Sequence, residues 1–315
     1  MMKKFTATIA LLLMLAMGAA AETPDELQAV GQVVGIRLQG KYVTVAGFTE
    51  DGAAKDTGLR EGDRLLAVDG APIRSAEEIS ALVDGPEPVA VTVGRDGETA
   101  SYLVTPREQG GKWRLGLRLR DKMSGVGTLT WYDAQTGACG ALGHGVYEPE
   151  KRALCEITDG ELLPAEVTSV TKGEKGAAGQ LRGEARGAAI GTVEKNTPRG
   201  VFGRLRTEPA CGKTVPVAKV DEIRVGDAEI LSTLSGSEAT YGVRILRIYP
   251  TEEERNLLLE VTDDRLLDAT GGIVQGMSGS PILQDGRLVG AVTHVLVGDP
   301  TKGYGIFIGK MLEAS

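Results

Sequence analysis

Alternating apolar and polar positions dominate the first third of the chain. Val33-Val34-Gly35-Ile36 and Tyr42-Val43-Thr44-Val45-Ala46 predict strands. So do Arg64-Leu65-Leu66-Ala67-Val68, Val89-Ala90-Val91-Thr92-Val93 and Ala100 to Val104. Asp69-Gly70 and Asp96-Gly97 mark tight turns. Ala53 to Thr57 predicts a short helix ending at Gly58, and Ser75 to Val83 a second one. In that helix Ser75 stands at the N-cap and Glu78 can reach back to it, a capping box. Ile79, Leu82 and Val83 fall on one face.

The pattern changes after Gln109-Gly110-Gly111-Lys112, which reads as a linker. From Trp113 onward short strands are broken by glycine, as at Gly127 to Tyr132, Ala188 to Val193 and Tyr241 to Ile248. Helical periodicity returns only over Glu252 to Leu267. These runs predict a second, β-barrel-like domain reaching the C-terminus. The composition agrees: 44 glycines with only 4% aromatics suit short strands and turns. A chain of 315 residues is long enough for two domains with their own cores.

Charge and the N-terminus narrow the setting. The formal charge is −8 with no long basic run, which argues against nucleic acid as a partner. Met1-Met2-Lys3-Lys4, the apolar stretch Thr8 to Met17 and Ala19-Ala20-Ala21 form the three-part pattern of a signal peptide, residues 1–21. The chain is therefore expected to be exported, in solution or held at the outer membrane face by an uncleaved anchor. Three cysteines, Cys139, Cys155 and Cys211, read best as unpaired buried thiols, although a Cys139–Cys155 bridge is open. With two histidines and no CxxC, neither a metal nor another cofactor is expected.

Gly58-Leu59-Arg60-Glu61-Gly62-Asp63-Arg64-Leu65-Leu66-Ala67-Val68-Asp69-Gly70 resembles the "GLxxGDxIlxVNG" signature of bacterial protease-associated PDZ domains. The resemblance implies an α+β PDZ domain over residues 30–107, with a groove beside the Ser75–Val83 helix where a peptide adds as a strand. It places the carboxylate-binding loop at Val34, Gly35, Ile36 and Arg37, which lack the usual Gly-Leu-Gly-Phe.

Gly276-Met277-Ser278-Gly279-Ser280-Pro281 carries the candidate chemistry. A serine between glycines suits a sharp turn that exposes its hydroxyl, and the N–H groups of Gly276 and Ser278 could hold an oxyanion. Ser280 offers a rival hydroxyl. A strand, the Asp285-Gly286 hairpin and a partner strand, Leu288 to Val295, follow. That arrangement resembles the nucleophile region of chymotrypsin-like proteases, with a histidine early, Gly143-His144-Gly145, and the serine late. It implies a chymotrypsin-like double β-barrel over residues 113–315. Met277 stands where those zymogens place an aspartate, so their ion-pair activation switch is absent.

The segment Gly271 to Ile308, with Ala141-Leu142-Gly143-His144-Gly145, resembles the stage IV sporulation protein B family of serine peptidases. The resemblance covers the whole chain: signal peptide, PDZ domain, peptidase domain. It implies Ser278 as nucleophile, His144 as general base and Asp263, fifteen residues before the serine, as the acid that orients His144. Asp264 and Asp268 are rivals for the acid, and His294 is a pocket-lining residue with a catalytic role in reserve. It further implies action in sporulation signalling, in the space between forespore and mother-cell membranes. There the protein would cleave itself near its N-terminus and cleave an extracytoplasmic part of a membrane-bound regulator, so that an intramembrane protease activates a late sigma factor. Its own N-terminal segment is then a candidate PDZ ligand. A PDZ scaffold on an inactive peptidase and a general exported quality-control protease are the alternatives.

Overall fold

The computed structural model describes residues 24–315; the expected signal peptide lies outside them. Two strands organise everything else. Glu26–Phe48 and Leu117–Tyr132 run antiparallel to each other along almost their whole length. Their outer halves, Gln28–Gln39 and Lys122–Tyr132, belong to a barrel. Their inner halves, Thr44–Phe48 and Leu117–Arg120, belong to the PDZ sheet.

The first barrel closes through six strands. Glu26–Phe48 pairs with Ile157–Thr171, which pairs in turn with Gly191–Thr197. Gly200–Leu205, Ala138–Ala141 and Leu117–Tyr132 complete the ring. The second barrel is closed by Gly226–Ser232, Ala239–Ile248, Leu257–Val261, Lys302–Phe307, Arg287–Val295 and Pro281–Gln284. The chain is thus mainly β: a PDZ domain and a double β-barrel, with three short helices among the described residues. No described helix is long and apolar enough to cross a membrane.

The expected domain limits shift accordingly. Val30 to Gln39 is barrel, not PDZ, because its register runs against Ile157–Thr171 on one side and Leu117–Tyr132 on the other. The strand runs on through the polar step Gln39-Gly40-Lys41, where the register shifts and the pairing passes from barrel to PDZ sheet. The expected linker is the turn of a hairpin, Arg107–Gln109 against Lys112–Arg114. Gly110 and Gly111 both have φ above +50° there, as a type I′ turn requires.

Several local readings also change. Ala53 to Thr57 forms isolated turns, not a helix. The helix Ala76–Leu82 has no cap from Ser75; Glu78 accepts from Arg74 N instead, and Asp121 accepts from Ala76 N at 3.1 Å. Ile79 and Val83 are buried while Leu82 is exposed. The helical pattern expected over Glu252 to Leu267 resolves into a strand, Leu257–Val261, and a helix, Asp264–Thr270. Leu257, Leu259 and Val261 are buried in turn, a period of two that the barrel selects.

Three apolar clusters fill the PDZ domain and the two barrels. A fourth joins the barrels, with Leu27, Trp131 and Phe202 from the first against Leu283, Ala291 and Ile306 from the second. This seam fixes the two barrels edge to edge, and the candidate chemistry lies along it.

Candidate active site

His144 projects from the first barrel just after the strand Ala138–Ala141. Leu142 and Gly143 both sit at φ +69°, which turns the chain sharply towards the second barrel. Asn196 clamps the segment that follows: its amide binds both polar backbone groups of Val146 and the carbonyl of Cys155. The His144 Nδ1 lies 2.9 Å from the carbonyl oxygen of Gly145. A carbonyl can only accept, so Nδ1 carries the proton and Nε2 keeps its lone pair. Burial holds the His144 pKa below the ordinary imidazole value.

Ser278 projects from the second barrel, at the turn before Pro281–Gln284. Met277 beside it is fully buried in that barrel's core and anchors the turn. Gly279 has φ +95°, and a Cβ there would meet the Thr128 carbonyl oxygen at 2.0 Å, so no other residue fits. The Ser278 hydroxyl donates to the carbonyl of Thr293 at 2.6 Å. The N–H groups of Gly276 and Ser278 have no acceptor among the described residues.

His144 and Ser278 face one cavity of about 560 Å³, as does Gly276. Its walls are mostly aliphatic: Ile36, Met123 and Val126 from the first barrel, Val274, Val295 and Val297 from the second. His294 lines it too, with its ring centroid 4.9 Å from that of His144. Burial first, then the charge His144 would carry, hold the His294 pKa down at about 4. Both imidazoles are therefore neutral at neutral pH. Ser280 is fully buried, which removes it as a rival nucleophile.

Asp263 is not brought to His144. Its carboxylate caps the helix Asp264–Thr270 through Arg265 N, accepts from Gly242 N and pairs with the Arg265 guanidinium. These donors, Arg265 foremost, hold its pKa at about 2. The hydrogen bond that a triad acid makes to imidazole Nδ1 is made instead by the Gly145 carbonyl.

The expected carboxylate-binding loop, Val34 to Arg37, lies in the barrel instead. Val34 to Arg37 is paired on both edges and offers no free strand edge to a peptide. The groove beside the helix Ala76–Leu82 is walled on its other side by Leu115, Gly116, Leu117 and Leu119. Gly116 has φ +75°, and the N–H groups of Leu115 and Gly116 have no acceptor among the described residues. The sequence signal was Leu115-Gly116-Leu117, a Gly-Leu-Gly-Phe-like step placed after the PDZ core rather than before it. No cluster of three or more His, Cys, Asp or Glu among the described residues could hold a metal ion, and all three cysteines are free thiols. Burial pushes the Cys139 thiol up to about 12.

Comparison with known families adds an independent line. The family model described as SpoIVB peptidase S55 matches residues 111–312, well over half of the chain. The chain belongs to the SpoIVB peptidase S55 family. With that family it is a serine peptidase, and a PDZ family model matches residues 44–94. Magnetosome formation protease MamE of Paramagnetospirillum magneticum is 40% identical over 88 residues, 27% of this S55 chain. The chain spans between 12% and 24% of the length of the curated relatives it matches. Among solved structures, the active form of the Rv3671c protease from M. tuberculosis is 13% identical, with 60% of this chain and 72% of that one covered and a TM-score of 0.38. The HtrA-type protease AlgW with a decapeptide is 10% identical, covering 91% of this chain and 64% of that one, with a TM-score of 0.38.

Proposed function

We propose that this S55 peptidase is an exported endopeptidase of sporulation signalling. It works between the forespore and mother-cell membranes, cleaving its own N-terminal segment and an extracytoplasmic part of a membrane-bound regulator. The cut relieves an intramembrane protease, which then activates a late sigma factor. The family resemblance of the Gly271 to Ile308 segment supports this setting.

The chemistry follows from the cavity. The Ser278 hydroxyl rotates away from Thr293 and gives its proton to His144 Nε2 as its oxygen attacks the scissile carbonyl carbon. The N–H groups of Gly276 and Ser278 receive the oxyanion. The imidazolium, steadied by the Gly145 carbonyl at Nδ1, returns the proton to the departing amine. Water then hydrolyses the acyl-enzyme by the same proton relay. The observation that carries this reading is the pair of unpartnered N–H groups opening onto the cavity that also holds a neutral His144.

The test is Ser278→Ala in the purified full-length protein, followed by mass measurement of the N-terminus over time. Self-trimming in the parent that is abolished in the variant is expected. Equal trimming in both would refute it. One observation favours a scaffold reading: the hydroxyl is turned to Thr293 rather than to His144. A dead scaffold would leave the N-terminus intact in both proteins.

A further inference from the structure

In a trans peptide, the N–H points opposite to the carbonyl of the same plane. The direction of an oxyanion donor is therefore set by whatever holds the preceding carbonyl. The Gly276 N–H shares its plane with the Gln275 carbonyl, which accepts from Leu181 N at 2.8 Å. The Ser278 N–H shares its plane with the Met277 carbonyl, which accepts from Ser280 N at 2.9 Å. The plane between them is held at its N–H end by Met277 N donating to the Val274 carbonyl at 3.1 Å, and its Gly276 carbonyl end needs a partner of its own because φ +98° gives the glycine backbone freedom there.

One residue of the other barrel grips this turn on both sides. Thr128 lies within Leu117–Tyr132 and is completely buried. Its hydroxyl donates to the Gly276 carbonyl at 3.0 Å, and its N–H donates to the Ser278 carbonyl at 2.9 Å. Its own carbonyl accepts from Leu142 N at 3.2 Å, two residues before His144. We infer that Thr128 is a positioning residue that locks the oxyanion turn across the barrel seam and ties it to the segment carrying the base. It performs the bracing that the zymogen-type ion pair provides elsewhere, a pair that Met277 rules out here. The inference rests on the peptidase reading above.

The test compares wild type with Thr128→Val, Thr128→Ser and Thr128→Cys, measuring kcat per fluorophosphonate-titrated site and KM. Valine keeps the shape, removes the hydroxyl and leaves the Gly276 carbonyl unpaired. Its kcat per titrated site should fall about 10- to 100-fold, with KM within about twofold. Serine should restore kcat to within about threefold, and cysteine, a weak donor, should lie between the two. A purely structural role would lower the titrated fraction and leave kcat per site unchanged. Should the valine protein fold poorly, the serine-over-cysteine ranking at matched titration carries the test. Equal kcat per site across the foldable variants would overturn the inference. A wild type that neither labels nor cleaves would instead overturn the peptidase reading.

Discussion

Ser278 and Thr293 form a hydrogen bond in which the serine hydroxyl donates, at 2.6 Å, to a main-chain carbonyl. The proposed nucleophile is therefore parked. The proton that the proposed mechanism passes to His144 is directed at the strand Arg287–Val295, while His144 Nδ1 lies against the Gly145 carbonyl and leaves the lone pair on Nε2. In the proposed mechanism catalysis begins with one side-chain rotation, inside a cavity lined by Gly276 and Ser278, whose N–H groups have no acceptor among the described residues.

Activity should depend on pH in a particular window. In the proposed mechanism His144 works as a neutral base, and burial holds its pKa below the ordinary value of about 6.5. The half-rise of kcat/KM should lie below pH 6.5, with a plateau from there to about pH 8. A half-rise at pH 7 or above would contradict the buried, neutral imidazole. Stability should move in the same direction. Both histidines are held neutral in the fold, whereas the unfolded chain binds protons near pH 6.5. The contribution is complete above that value and is lost as pH falls from there towards about 4, the folded value for His294. Urea midpoints at pH 7 and pH 5 measure it, and the midpoint at pH 5 should be the lower.

Asp263 separates a structural role from a catalytic one. Its carboxylate caps a helix and pairs with an exposed Arg265. Asp263→Asn keeps a capping oxygen and should cost about 1 kcal/mol or less, with Asp263→Ala costing about 1 kcal/mol. Neither should lower kcat by more than about tenfold, against about 10⁴-fold for loss of a true triad acid. A folded Asp263→Asn protein with the larger loss would show that the working enzyme rearranges to bring this carboxylate to His144.

Asp63 of the PDZ signature is 1% exposed and is held by the Arg95 guanidinium through two 2.6 Å hydrogen bonds, with a third from Arg60 N. Arg95→Ala would leave a buried carboxylate uncompensated. A loss of about 3 kcal/mol is expected, read from urea unfolding. A change under about 0.5 kcal/mol would place the pair with ordinary surface ion pairs.

Much of this was legible beforehand, for identifiable reasons. Ser278 and Gly279 announce themselves because only glycine tolerates the approach to Thr128 that the turn demands. The hairpin Asp285-Gly286 is equally local, with both residues at positive φ. What stayed hidden is non-local. Thr128 acts on Gly276 from 148 positions away, and Asn196 holds Val146 from 50. No spacing rule reports such contacts. Leu257 to Val261 read as helical because short leucine runs satisfy both periods until a barrel supplies the neighbours. The carboxylate-binding loop was misplaced, though the groove beside the helix was not, because the strand opposite that helix comes from Leu115 to Leu119, after the domain's core instead of before it.

That groove can be tested without disturbing the barrels. Removing residues 33–106 would take barrel strand Val33 to Gln39 with it. Ser80→Trp, on the exposed side of the helix lining the groove, fills it instead. Hydrolysis of a small ester should stay within about twofold, since the groove lies apart from the catalytic cavity, while self-trimming slows by about tenfold or more if peptide docking feeds the active site. Unchanged trimming would detach the groove from substrate delivery.

The pairing of His144 with Ser278 is tested most directly by fluorophosphonate labelling with the modified residue located by peptide mass. The label should fall on Ser278 in the parent protein, disappear in Ser278→Ala, and form at least about 100-fold more slowly in His144→Ala. A label on another residue, or an undiminished rate without His144, would contradict that pairing.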